Sequence, residues 1–114
     1  MTTERRAKRS ARRRGDLDAR KFIADLVGGP ITLGALIEAI RHGEEATQAE
    51  LAAQLGITKS HLSDIERGRK LVSPERAARF ADLLGYSSDQ FVRLALQEAL
   101  DRAGLHYKVE VTAA

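Results

Sequence analysis

Within residues 58–70, TKSHLSDIERGRK, lie most of the side chains that could do specific chemistry. The apolar residues Leu62 and Ile65, with Ile57 just before them, recur at helical spacing and define one inward face. Lys59, Ser60, Ser63 and Asp64 must therefore lie on other faces. These are hydrogen-bonding groups of mixed sign on a short helix, arranged to meet a surface rather than to close around a substrate. Lysine donates to guanine O6 or N7, aspartate accepts from cytosine N4, and serine does either. Ser60, His61 and Asp64 include the residue types of a hydrolytic triad. They fall within a turn and a half of one helix, where a nucleophile–base–orienter chain cannot form. His42, His61 and His106 lack metal-ligand spacing, no cysteine is present to supply a thiolate, and no glycine-rich phosphate loop occurs. The sequence thus argues against an enzyme and implies no cofactor and no metal.

The elements that position these groups can be read on either side. Thr58 caps the helix, which runs to about Arg67. Before it, Leu51, Ala52 and Leu55 form the apolar face of another helix, with Thr47 and Glu50 spaced as a capping box. Gly56 falls where that helix must stop, since glycine takes a left-handed backbone at little cost. Ala52 is small where the two helices would cross. Two short helices joined by a tight turn in this way form a helix-turn-helix unit. Thr32 caps an earlier helix with Leu33, Leu36, Ile37 and Ile40 at i, i+3, i+4, i+7 spacing, and His42 to Ala46 reads as a polar connection with Glu44 and Glu45 in a loop. Ser73 caps a later helix with Pro74 at its first position, Phe80, Leu83 and Leu84 inward and Gly85 as its stop. Ser87 or Ser88 starts a last helix carrying Phe91, Leu94, Ala95 and Leu100 up to Gly104.

Composition sets the boundaries of this reading. A chain of 114 residues suffices for one domain with a single core. Two Tyr, three Phe and no Trp disfavour a stacking platform for single strands. The lack of cysteine, of a signal-peptide core and of a membrane-length apolar run suggests a cytoplasmic protein. The net charge of +3 is uneven. Arg5, Arg6, Lys8, Arg9, Arg12, Arg13 and Arg14 make residues 1–15 a basic arm, whereas the rest of the chain is net acidic. Such arms often bind nucleic acid. Asp16 can cap a helix from Leu17 to Val27, ended by Gly28-Gly29-Pro30. In residues 105–114, Tyr107, Val109 and Val111 alternate with Lys108 and Glu110, which suits a short strand that needs a partner from elsewhere.

The segments TQAELAAQLG and ITKSHLSDIERG, with serine-proline before the next helix and LLGY after it, resemble the Cro/C1-type helix-turn-helix family of phage repressors and bacterial regulators, also called the XRE family. The resemblance covers about residues 33–85. It implies an all-α fold: a compact five-helix Cro/C1-type bundle over residues 32–104, preceded here by the arm (1–15) and an extra helix with linker (16–31), and followed by the strand-like residues 105–114. It implies that the helix from Thr58 to Arg67 enters the major groove of double-stranded DNA. Lys59, Ser60, Ser63 and Asp64 are then the base-reading residues. Gln48 matches the family's glutamine at the start of a helix, where free N–H groups favour a phosphate. Thr58, Arg67, Arg69, Lys70 and Arg41 complete the expected phosphate contacts, and Arg41 and Glu66 match a family salt bridge. Two functions stay open: a homodimeric transcriptional regulator, in the sense of a repressor, on a two-fold symmetric operator, or an antitoxin of the HigA type that neutralises a toxin protein and represses its own operon. The segment at residues 105–114 serves either one, by pairing with a second copy or with a toxin's sheet.

Overall fold

The computed structural model describes residues 31–114. Five helices follow one another: α1 (Leu33–Gly43), α2 (Gln48–Leu55), α3 (Lys59–Glu66), α4 (Pro74–Leu84) and α5 (Ser88–Arg102). The expected arm and the expected helix from Leu17 to Val27 lie outside the described residues.

Four of the five starts are fixed by a side chain that the sequence placed there. The hydroxyls of Thr32, Thr47, Thr58 and Ser73 accept from the N–H of Ala35, Glu50, His61 and Arg76, satisfying donors that a helix leaves bare at its first turn. Glu50 returns the bond to the Thr47 N–H at 2.9 Å, completing the capping box. Ser87 takes the N-cap position of α5 without a side-chain bond. Gly56 and Gly85 end α2 and α4 in the left-handed conformation, with φ of 73° and 79°.

The core is one cluster drawn from all five helices. Leu33, Ile37, Leu51, Leu62, Ile65, Phe80, Leu84 and Phe91 are its largest fully buried members. Ile57 and Tyr86 pack against its edge. Helix α3 is thus held by Leu62 and Ile65 on one side only, which leaves its first turn outward.

Four details differ from the sequence reading. The connection after α1 begins later, because His42 and Gly43 complete the helix. Glu44, read as a polar loop residue, is buried. Leu83, read as inward, is 41% exposed; it lies beside Leu84 on α4, and a 3.6-residue period admits only one of two neighbours fully. Most significantly, no strand forms among the described residues. Residues 105–114 carry no regular structure, and no backbone edge among the described residues bonds to the chain from His106 onward. The side chain of Gln97 on α5 stands in for one, donating to the Tyr107 carbonyl at 2.7 Å and accepting from the Val109 N–H at 2.8 Å.

Gly34 has a role that periodicity does not reveal. A Cβ there would overlap the Ile65 carbonyl oxygen and crowd the Glu66 backbone, so α1 and α3 touch backbone to backbone. Gly34→Ala should destabilise the protein by about 1–3 kcal/mol, as overpacking does, although alanine is the better helix former. Urea denaturation measures this; a stabilised variant would show that the helices have room to part.

Candidate nucleic-acid interface

Helix α3 is anchored at its C-terminal end by a buried charge. Glu66, the last residue of α3, has a side chain only 2% exposed. Arg41 from α1 meets it as a fork: Nε donates to Oε2 at 2.8 Å and Nη2 to Oε1 at 3.1 Å. Arg41 Nη1 donates to the Ala46 carbonyl at 3.2 Å, in the connection to α2. Gln48, the first residue of α2, adds its amide to Glu66 Oε1 at 2.9 Å. Three helices therefore converge on one carboxylate. The Glu66 hydrogen bond raises the Arg41 pKa further, against the opposing effect of burial. The bidentate geometry is the strong form of such a pair.

The Arg41–Glu66 pair expected from the resemblance is thus present. Gln48 joins it, a contact the sequence reading missed. Arg41 and Gln48 are held inward by these bonds, yet each stays half-buried rather than buried. An arginine offers five donors, and three of those on Arg41 are used here.

The first turn of α3 carries Lys59 and Ser60, both exposed. Ser63 and Asp64 are half-buried. Asp64 faces the basic loop that follows: Arg69 Nη1 lies 3.6 Å from Oδ1 and Lys70 Nζ 3.8 Å from Oδ2. The Asp64 backbone carbonyl also accepts from the Arg69 N–H at 2.7 Å. Asp64 therefore shapes the loop that Gly68 allows to turn, at φ 76°. Arg67, Arg69 and Lys70 remain exposed just past the helix, a cluster of cations beside a polar helix face. Arg102, from the end of α5, donates to the Gly68 carbonyl and so ties that loop to the body.

The sequence offers His61 only as a triad-type residue or metal ligand; the structure gives it a different partner. Its ring is half-buried, with Nε2 3.4 Å from Arg76 Nη1 on α4. Arginine has no acceptor, so this contact needs the neutral ring with Nε2 as acceptor. Burial pushes the His61 pKa down, helped by Lys70 and Arg76 and opposed by Asp64. A neutral ring thus joins α3 to α4. His61 is turned to Arg76 and Asp64 to Arg69 and Lys70, so these two triad-type residues have separate partners, while Ser60 is exposed.

Two short helices crossing at a glycine turn, the second exposing polar side chains at its first turn and cations past its end, define a helix-turn-helix DNA-binding unit. A family model described as a helix-turn-helix domain matches residues 32–94, and the chain belongs to that family as a Cro/C1-type DNA-binding protein. It is 44% identical over 52 residues to the ImmF control region 10 kDa protein of Bacillus phage phi105, a stretch that is 46% of this chain and 58% of that relative. The chain thus spans little more than half the length of the curated relative it matches. No solved structure gives a significant match.

Glu66→Ala leaves Arg41 and Gln48 without their acceptor inside the bundle. The expected loss is about 3 kcal/mol, the lower end for breaking a buried pair, because the Arg41 side chain keeps 11% exposure. Glu66→Gln, which keeps the shape and one acceptor, should lose less. Equilibrium unfolding of both variants provides the measurement, and equal stability of Glu66→Ala and wild type would contradict the anchoring role.

Proposed function

We propose that the protein is a sequence-specific regulator of transcription, a repressor that binds double-stranded DNA as a homodimer on a two-fold symmetric operator. The observation that carries this reading is the exposed first turn of α3, with Lys59 and Ser60 outward while Leu62, Ile65 and Glu66 fix the helix from behind. A helix laid in the major groove meets base edges with its N-terminal residues. Lys59, Ser60 and Ser63 then read bases. Asp64 shares its carboxylate between that task and the loop cations. Thr58 and Gln48 approach phosphates at the N-termini of α3 and α2, with Arg41 reaching from the last turn of α1, and Arg67, Arg69 and Lys70 clamp the backbone past the helix, setting register without reading sequence. A single reading helix covers only a few base pairs. Two of them about 34 Å apart along one face of the duplex read two half-sites, hence the dimer. The likeness to a phage control-region protein supports a regulatory role in the same direction. The basic residues 5–14 add salt-sensitive, sequence-independent affinity.

The antitoxin reading differs in requiring a protein partner. Residues 105–114, tethered to α5 through Gln97, are where such a partner would pair. The homodimeric regulator is preferred because it requires no second gene product.

Binding-site selection from random duplex DNA separates the two classes of contact. Lys59→Ala and Ser60→Ala should each relax preference at one position per half-site, with a loss of about 1–3 kcal/mol there. Arg67→Ala, Arg69→Ala and Lys70→Ala should weaken all sequences alike and reduce the salt dependence. An unchanged preferred site for both first-turn variants would overturn the assignment.

A further inference from the structure

Among the described residues, Tyr107 and Val109 are held by one side chain, and the way they are held fixes which edge of the chain is left over. The Gln97 amide is fully engaged. Nε2 donates to Asp101 Oδ1 at 2.9 Å and to the Tyr107 carbonyl at 2.7 Å, and Oε1 accepts from the Val109 N–H at 2.8 Å. A carbonyl at one residue and an N–H two residues on, both taken by one amide, is what a neighbouring backbone would offer an extended chain. In an extended chain the N–H and C=O of one residue point to the same side, and successive residues alternate. The odd-numbered backbone groups therefore face α5. Those of Lys108 and Glu110 face away, and no hydrogen bond reaches them from the described residues. Lys108 and Glu110 are exposed, whereas Val109 and Val111 are half-buried.

We propose that this outward edge pairs with the same edge of a second copy, antiparallel and with its two-fold axis at Val109. The proposal rests on the homodimer in the preceding section and names the surface that makes it. The register follows from two constraints. Hydrogen-bonded pairs must be even with even, since only those groups face outward. Among the even pairings, one sets Lys108 against Lys108 of the second copy, which like charges oppose. Shifting by two residues sets Lys108 against Glu110 and Glu110 against Lys108, two favourable pairs at once. This register places Val109 opposite itself as a non-hydrogen-bonded pair, the closer of the two kinds, with Cα atoms about 4.5 Å apart. The sequence is therefore complementary to itself in one register only. Such pairing also covers an edge that otherwise invites association with any exposed strand.

Charge reversal in the full chain tests both the surface and the register, with sedimentation equilibrium as the readout, free and on the operator. Lys108→Glu and Glu110→Lys each convert two attractive pairs into two repulsive ones. Each should weaken dimerisation on the order of ten-fold. Both sites are exposed and lie beyond α5, so the core and the thermal transition should not change. Mixing the two single variants restores both pairs across the interface and should yield heterodimers of near wild-type affinity. The double variant, which exchanges the two charges, should likewise recover the homodimer. A wild-type dimer that neither reversal weakens would overturn this surface while leaving the homodimer intact through another. Reversals that the double variant does not rescue would overturn the register. A wild type that is monomeric both free and on the operator would overturn the homodimer itself and leave the edge to a different protein.

Discussion

One buried carboxylate organises the helices around α3. Glu66 closes α3, receives the Arg41 fork from α1 and takes the Gln48 amide from the first residue of α2. Removing a charge from water is expensive, and its attraction to a partner offsets that cost only when the geometry is good and every lone pair is used. Here both oxygens are occupied, one of them twice. Such a network contributes less to net stability than to uniqueness, because apolar packing alone would let α3 slide or rotate by a fraction of a turn. Three donor–acceptor contacts tie Glu66 to α1 and α2, and a fourth, from Arg41 to the Ala46 carbonyl, fixes Arg41 itself; together they remove that freedom. The close approach at Gly34 acts in the same sense from the other side: with no side chain between them, α1 and the end of α3 meet at one separation.

The division of labour along α3 follows. Its apolar residues and its C-terminal charge face the bundle, so its N-terminal turn is left exposed. The loop beyond it is shaped by contacts that are likewise internal: the Asp64 carbonyl on the Arg69 N–H, the Asp64 carboxylate near Arg69 and Lys70, and Arg102 on the Gly68 carbonyl. The cations of this loop are therefore presented on an ordered turn. His61 braces the same helix against α4 through Arg76, and its lowered pKa keeps the ring in the neutral form that this contact uses.

Much of this was legible in the sequence because it is local. A capping hydroxyl, a capping box and a left-handed glycine are decided within four residues, and the boundaries set by Thr32, Thr47, Thr58, Ser73, Gly56 and Gly85 agree with the structure for that reason. The long-range contacts were legible only where a resemblance supplied them, as for Arg41 and Glu66. Nothing in the local pattern marks Gln48 as a partner of Glu66, Gly34 as a helix contact, or His61 as a partner of Arg76, since each depends on an element far along the chain. The strand expected over Tyr107 to Val111 failed for a related reason. Alternation describes a chain able to pair, but pairing needs a neighbouring backbone, and among the described residues the partner supplied is the side chain of Gln97.

The central claim is that the first turn of α3, with the loop that follows it, is the face applied to duplex DNA. Backbone amide chemical-shift mapping during titration with a selected operator duplex tests it most directly. The account predicts that the largest changes fall on residues 58–70 and on the start of α2 around Gln48, with the outer face of α5 unmoved. Changes concentrated on α5, with residues 58–64 unaffected, would contradict it.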